Sequence, residues 1–197
     1  MGYNKEYYLK NKEKIDKRNS EYKTRCNRER MKKILEMKKT IGSCNICGWN
    51  EHLEILQFHH RDKEEKSFGI GRTCLSKNWS LVIEEIDKCD LLCPDCHHKI
   101  HYNEAVCTNK YTVKRKLKLL ELKKSFGKCK KCGDDECIDI LQFHHRKKES
   151  KKFDVGLQSR GGRWDITLEE VNKCDLLCPN CHSWLHYKET NGGIIEC

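Results

Sequence analysis

The sequence contains, at residues 88–102, the stretch KCDLLCPDCHHKIHY, which returns as KCDLLCPNCHSWLHY at residues 173–187. The similarity continues outward from these stretches. Residues 41–105 and 126–190 share 32 identical residues in 65 positions, without a gap and at one offset of 85. Identity of this extent at a fixed offset indicates a duplicated domain. With only two copies, we expect each repeat to fold around its own core.

Each repeat carries two CxxC pairs separated by 45 residues. The charged N-terminus has no apolar signal segment, so we expect a cytoplasmic protein whose thiols stay reduced. Four cysteines around one ion are typical of structural Zn²⁺. We therefore predict two structural zinc ions. Their ligands are Cys44, Cys47, Cys93 and Cys96 in the first repeat, and Cys129, Cys132, Cys178 and Cys181 in the second.

Two other interpretations of these cysteines remain. A redox CxxC is one, although redox motifs do not come as two pairs per repeat. The other is a compact zinc site that leaves Cys44 and Cys47 aside, unless His59 and His60 join them, and makes the chain a pure zinc-binding module. That site would use Cys93, Cys96, His97 and His101.

Composition and charge limit the classes of protein. Hydrophobic residues make up 37% of the chain and charged residues 36%, which argues against one large apolar core and for small domains held by metal. The net charge of +10 is concentrated in residues 1–40, with 14 Lys or Arg and six Asp or Glu. Such an arm is typical of a segment that binds a polyanion, although a solvated helix with ordinary ion pairs has the same composition.

The hydrophobic pattern predicts an α+β fold of two tandem small modules, preceded by and joined through basic helices. Helices are expected at 26–42 and 111–127, and each ends at a glycine. Each module should contain a short strand (53–60 and 138–145), a helix that runs from a tryptophan to the first cysteine of KCDLLC, and a second short helix from the last CxxC. No stretch is long enough to span a membrane. The predicted divisions are a basic helical arm (1–40), module 1 (41–106), a connecting helix (107–125), module 2 (126–190) and a tail (191–197).

FHHR at 58–61 and 143–146, followed by KCDLLCxxCHxxxH, resembles the HNH endonucleases, also called ββα-metal or His-Me finger nucleases. The similarity is greatest to the zinc-knuckled type of phages, mobile elements and restriction enzymes. It covers most of the chain, and NKEYYLKNKEKI (4–15) is similar to the basic leaders of phage HNH proteins. The resemblance implies a ββα-metal module with one catalytic divalent metal, Mg²⁺, Mn²⁺ or another transition metal. It also implies hydrolysis of DNA to 5′-phosphate and 3′-hydroxyl ends.

The resemblance also implies roles for single residues. The second histidine of each HH pair, His60 or His145, is the general base, since a neutral imidazole accepts a proton from water. The expected ligands of the catalytic metals are His59, His97, His101, His144, His182 and His186. Arg61 and Arg146 are expected to contact phosphate. The candidates for orienting the base are Asp95, Asn180, Asp90 and Asp175. His52 and His98 receive no role, because the other repeat has Cys137 and Ser183 in their places.

Two sites on one chain predict one cut in each strand of double-stranded DNA, so a monomer suffices as a pseudo-dimer. We expect a restriction- or homing-like enzyme from a bacterium or a virus. The loops 69–78 and 154–163 differ, which predicts an asymmetric recognition sequence if they contact bases. The competing predictions are a nickase or branched-DNA resolvase with one dominant site, a non-catalytic zinc-dependent DNA-binding protein, and a zinc scaffold for protein partners.

Overall fold

The N-terminal arm is one long helix, α1 (Lys5–Ile41), in the computed structural model, which describes residues 5–71, 73–104, 109–158 and 163–191. No glycine or proline interrupts residues 5–41, and the helix ends at Gly42, whose φ of +84° suits glycine. Its C-terminal part packs on the first module, where Ile34 is buried and Arg30 donates to the carbonyl oxygen of Cys74 (3.4 Å). The predicted helix at 26–42 is therefore the last part of a longer one.

Each repeat forms a two-stranded antiparallel sheet followed by a helix, as the α+β prediction expected. Module 1 contains β1 (Gln57–His60), α2 (Trp79–Ile86), β2 (Cys89–Leu92) and α3 (Pro94–Glu104). After the connecting helix α4 (Lys110–Phe126), module 2 contains β3 (Gln142–His145), α5 (Val155–Gln158), α6 (Trp164–Val171), β4 (Cys174–Leu177) and α7 (Pro179–Asn191). His59 lies opposite Asp90 in the first sheet, and His144 lies opposite Asp175 in the second.

Two predicted boundaries are wrong. The strand expected over 53–60 begins only at Gln57, because Leu53–Ile55 forms a 3₁₀ turn. A strand would point Ile55 and Leu56 to opposite faces, whereas the turn buries both. The helix expected to run to Cys89 ends at Ile86, because Cys89 pairs with His60 in the sheet. The second repeat shows the same two differences, at Ile138–Ile140 and Val171.

At the same position of each repeat, a lysine joins a helix to its module, and Lys38 is buried whereas Lys123 is partly buried. The Lys38 ammonium donates to the carbonyl oxygen of Glu54 (2.8 Å), and Lys123, its repeat equivalent, donates to that of Asp139 (2.6 Å). Burial lowers the pKa of both lysines to about 8. The cores lie beneath these helices, around Leu56, Val82, Leu91 and Leu92 in module 1 and Leu141, Leu176, Leu177 and Val171 in module 2.

The two modules pack against each other through α3 and α7. The backbone N–H of Asp95 donates to Oδ1 of Asn180 (3.0 Å), and the backbone N–H of Asn180 donates to Oδ1 of Asp95 (2.9 Å). Asp95 and Asn180 occupy the same position of the repeat. A contact in which equivalent positions meet reciprocally is isologous, so a pseudo-twofold axis passes between these two residues.

Several residues that differ between the two repeats lie at this interface. The ring of His52 stacks on that of Trp184, with centroids 3.6 Å apart. The amide of Gln142 donates to Nε2 of His98 (3.2 Å), and Lys99 lies 3.8 Å from Glu136. His52 and His98, which received no role from the sequence, therefore belong to the contact between the modules.

Changing the residues on the pseudo-twofold axis tests this interface. Asn180→Asp places a second carboxylate against Asp95, whose pKa burial already raises. We expect a loss of about 1–2 kcal/mol in the free energy of unfolding, measured in urea. Asp95→Asn should have little effect, and the double variant Asp95→Asn with Asn180→Asp should recover wild-type stability. A double variant as unstable as Asn180→Asp alone would contradict the reciprocal pairing.

Some parts of the predicted divisions lie outside the residues that the structure describes. They are residues 1–4 of the arm, residues 105–108 at the junction after module 1, residues 72 and 159–162 of the two variable loops, and residues 192–197 of the tail. None of the described helices is long and apolar enough to cross a membrane.

Candidate metal centres

The eight predicted zinc ligands form two groups of four cysteines, one in each module. In module 1, Cys44 and Cys47 flank a tight turn closed by Gly48 (φ +75°), while Cys93 follows β2 and Cys96 lies in the first turn of α3. Module 2 repeats this arrangement around Gly133 (φ +80°). All ligand atoms of a group lie within 4.8 Å of one another.

The sulfur distances fit zinc. Sγ of Cys47 lies 3.7 Å from Sγ of Cys93, and Sγ of Cys132 lies 3.8 Å from Sγ of Cys178. A tetrahedral Zn²⁺ with Zn–S bonds of about 2.3 Å holds its sulfurs about 3.8 Å apart. Four thiolates would satisfy such an ion completely, so each group has the composition of a closed site. The compact alternative with His97 and His101 does not form, because those rings belong to a separate group.

One thiol in each group ionises readily. Burial opposes the ionisation of Cys44, yet hydrogen bonds from the backbone N–H groups of Cys47, Cys93 and Ile46 outweigh it and lower the pKa of Cys44 to about 7. The same balance lowers the pKa of Cys129 to about 7. A thiolate is the form that binds metal, so Cys44 and Cys129 can bind it near neutral pH, whereas burial raises the pKa of Cys93 to about 12 and that of Cys132 to about 11.

The predicted ligands of the catalytic metals form two groups of three histidines. They are His59, His97 and His101 in module 1, and His144, His182 and His186 in module 2. The ring centroids in module 1 are 4.6–5.1 Å apart, and those in module 2 are 4.5–5.1 Å apart. Three imidazoles on one side of an ion, with metal–nitrogen bonds of about 2 Å, have centroids about 4.5–5 Å apart. Both histidine groups therefore have the dimensions of a three-ligand metal site.

The fold explains why the three histidines of module 1 meet. His59 ends β1, and the antiparallel return through β2 brings the chain to α3, where His97 and His101 share one face at i and i+4. Pro94 begins α3, and the N–H of His97 donates to the carbonyl oxygen of Cys93 (3.0 Å). The four-cysteine group thus holds the start of the helix that presents two of the three rings.

Burial keeps two of these rings unprotonated. It is the main cause that lowers the pKa of His97 to about 4, and the positive charge that His101 and His59 would carry lowers it further. His182 is lowered to about 4 for the same reasons. The lone pairs of both rings are therefore available to a metal at neutral pH, with little competition from protons.

Module 2 adds a carboxylate that the sequence did not identify. Oε2 of Glu189 lies 3.3 Å from Nδ1 of His186, and Oε1 lies 3.8 Å from Nε2 of His144. A carboxylate beside a metal-binding histidine can fix the orientation of its ring. The available signal was Glu104, which occupies the same position of the first repeat.

The histidines of module 2 face a cavity of about 800 Å³. Its walls include all three rings, His145, the acidic residues Asp154 and Glu189, and the basic residues Lys148 and Lys151. The Lys151 ammonium pairs with Asp154 (2.5 Å), so the wall presents both cationic and anionic groups beside the imidazoles.

The predicted general bases are not part of the histidine groups. His60 is only 7% exposed, and the alternation of β1 turns its side chain away from His59. Its Nε2 lies 2.8 Å from Oε1 of Glu85. Module 2 repeats the arrangement, with Nε2 of His145 2.8 Å from Oε1 of Glu170. The sequence prediction did not include either glutamate. A signal was present, because both repeats contain Glu-x-x-Lys-Cys, at 85–89 and at 170–174.

The four candidates for orienting the base lie elsewhere. Asp90 pairs with Arg61 (3.3 Å) and Asp175 with Arg146 (3.1 Å). Asp95 and Asn180 pair with each other on the pseudo-twofold axis. The carboxylates that the structure places on the predicted bases are Glu85 and Glu170.

The predicted phosphate-binding arginines already bind backbone carbonyl groups. Arg61 donates to the carbonyl oxygens of Cys89 (2.8 Å) and Asp87, where α2 gives way to β2, and Arg146 donates to those of Cys174 (2.6 Å) and Asn172. Both side chains stay about half exposed, so their remaining donors face solvent.

Comparison with known proteins identifies no relative. No protein-family model matches the chain, and no curated protein sequence or solved structure is significantly similar to it.

Proposed function

We propose that this chain is a metal-dependent DNA endonuclease of the HNH type, with one active site in each module. One observation carries the proposal: an open group of three histidines lies beside a closed group of four cysteines, and the pair occurs twice. Closed four-ligand sites are structural, whereas sites with three protein ligands leave a position for water or substrate. The sequence resemblance to HNH nucleases agrees with this division.

In each module, different residues would carry out the two tasks of phosphodiester hydrolysis, metal binding and proton transfer. The three histidines of each module would hold a divalent cation, which would supply a positive centre for the phosphate and the departing 3′ oxygen. His60 or His145 accepts the proton of the attacking water, and the products carry 5′-phosphate and 3′-hydroxyl ends. Imidazole ligands favour Mn²⁺, Zn²⁺, Ni²⁺ or Co²⁺ over Mg²⁺.

The arrangement of the modules supports double-stranded DNA as the substrate. The two strands of a duplex are antiparallel and are related by twofold axes perpendicular to the helix. A protein with a pseudo-twofold axis between Asp95 and Asn180 presents equivalent sites to one phosphate in each strand. Exposed Lys10, Lys14 and Lys17 of α1 add cationic groups for phosphate contacts. We therefore propose a double-strand break by a monomer.

Cleavage of supercoiled plasmid with Mn²⁺ or Mg²⁺ tests the function. We expect wild type to linearise the plasmid and His60→Ala or His145→Ala to nick it. The double variant should lose cleavage by about 100-fold or more, because the general base is gone from both sites. His98→Ala serves as the control, since it removes a histidine beside His97 that lies outside the histidine groups and should leave both cuts.

Two observations favour other functions, and the same assay separates them. The burial of His60 and His145 suits a non-catalytic zinc-dependent DNA-binding protein, which would bind DNA and cut nothing with Mn²⁺, Mg²⁺, Ni²⁺ or Co²⁺. The cavity at the histidines of module 2 suits a nickase with one dominant site. In that case wild type would stop at the nicked form, and only His145→Ala would reduce the rate.

A further inference from the structure

A buried carboxylate occupies the same place in each module. Glu85 is 2% exposed and Glu170 is 1% exposed, each on the helix that packs behind the two-stranded sheet. Removing a carboxylate from water is strongly unfavourable unless other groups donate hydrogen bonds to it. Two such carboxylates at matching positions therefore require a structural or a functional reason.

Four donors surround the carboxylate of Glu85. Its Oε1 accepts from Nε2 of His60 (2.8 Å) and from the backbone N–H groups of Ser67 (2.6 Å) and Phe68 (3.1 Å). Its Oε2 accepts from the Lys88 ammonium (2.9 Å). Burial opposes ionisation, but these donors hold the pKa of Glu85 well below its usual range. The carboxylate is therefore ionised and held on both of its oxygens.

Module 2 repeats the arrangement with different loop residues. Oε1 of Glu170 accepts from Nε2 of His145 (2.8 Å) and from the backbone N–H of Lys152 (2.7 Å), and Oε2 accepts from Lys173 (2.6 Å). The donors lower the pKa of Glu170 to about 2. The two arrangements share the glutamate, the lysine, the histidine and the backbone N–H of the equivalent residues Ser67 and Lys152.

We propose that Glu85 and Glu170 are positioning residues that hold His60 and His145 with the ring proton on Nε2, so that Nδ1 is the nitrogen that accepts a proton from water. An ionised carboxylate only accepts hydrogen bonds, so the nitrogen facing it must carry the hydrogen. In a neutral ring the other nitrogen then has a free lone pair. The same logic operates wherever a carboxylate orients a catalytic histidine. The catalytic part of this inference rests on the proposed function, whereas the position of the proton does not.

A purely structural role predicts something different. Glu85 also ties the loop after β1 to α2 through Ser67 and Phe68, and Lys88 contributes by donating to the carbonyl oxygen of Glu65 (3.1 Å). If anchoring the loop were its whole function, changing Glu85 would alter stability without selecting a nitrogen of His60. The test must therefore read the tautomer itself.

The first measurement is long-range ¹H–¹⁵N NMR on the full-length, zinc-loaded wild type, which assigns the protonated nitrogen of each ring. The spectra are recorded at a pH at which the rings are neutral, and we expect His60 and His145 to carry the hydrogen on Nε2. A neutral ring that carries its hydrogen on Nδ1 overturns the proposal. This readout needs no cleavage, so it stands even if the chain proves not to be a nuclease.

The second measurement compares two variants within the same network. Glu85→Met keeps the approximate size of the side chain but removes the oxygen that accepts from Nε2 of His60. We expect the Nδ1-protonated tautomer of His60 to appear, and kcat for the module 1 cut, measured in a His145→Ala background, to fall by about 100-fold or more with little change in KM. Lys88→Met is the matched control, which removes a donor from the same carboxylate and should lower the melting temperature but leave the tautomer of His60 unchanged. A folded Glu85→Met variant with wild-type tautomer and kcat overturns the proposal, as does a change of tautomer in Lys88→Met.

Discussion

A chain carrying His97→Ala together with His182→Ala is expected to cleave DNA at least about 1,000-fold more slowly than wild type, with every divalent metal. The reason is geometric. His97 and His182 directly follow the last cysteine of each four-cysteine group. Without them, only two imidazoles remain in each histidine group. The rate of plasmid conversion under single-turnover conditions measures the effect.

Two controls make this result specific. Each single variant should lose one cut and keep the other, so nicked plasmid accumulates. DNA affinity, measured by fluorescence anisotropy, should stay within a few-fold of wild type, because α1 and its exposed lysines are unchanged. A double variant that still linearises plasmid at the wild-type rate would remove the histidine groups from the mechanism.

Cys129→Ser is expected to unfold module 2. Cys129 is 1% exposed and belongs to the group of four cysteines that joins the first turn of module 2 to the start of α7. Structural zinc contributes about 10–16 kcal/mol to small domains, which is comparable to or larger than the stability of a whole domain, about 5–15 kcal/mol. Zinc content by mass spectrometry should fall from two ions per chain to one, with loss of near-ultraviolet circular dichroism from the module.

Cys137→Ser is the matched control, because Cys137 lies in the same module but outside the four-cysteine group. It should keep both zinc ions. Cys129→Ser should also abolish the cut made by module 2, since Cys181 and His182 are neighbours at the start of α7. A Cys129→Ser chain that retained two zinc ions and a cooperative melt would show that the cysteines do not hold the fold.

The two groups of cysteines and the two groups of histidines could be predicted from the sequence because each of their members recurs at one offset. The alternative in which His59 joins Cys44 needed the structure, which places these two residues in different groups. Glu85 could not be recognised in the same way, since a glutamate in a charged helix usually faces solvent. Only the structure shows that α2 turns this carboxylate inward, towards His60.

The interface between the modules escaped prediction for the opposite reason. His52 and His98 differ from their repeat counterparts, and a search based on repetition discards positions that differ. The 3₁₀ turn at Leu53–Ile55 was missed because a short run of apolar residues has the same composition in a turn and in a strand. Local pattern cannot decide which face of such a segment is buried.

The contact between α3 and α7 has an evolutionary consequence. In a homodimer, one mutation changes both halves at once, so the surfaces that meet on the axis must remain compatible with themselves. A fused pair escapes that constraint. Here His52 stacks on Trp184, while the positions related to them by the pseudo-twofold axis hold Cys137 and Lys99. Duplication allows the two halves to change separately. This opens a route from a symmetric homodimer to a single chain that binds an unsymmetrical ligand.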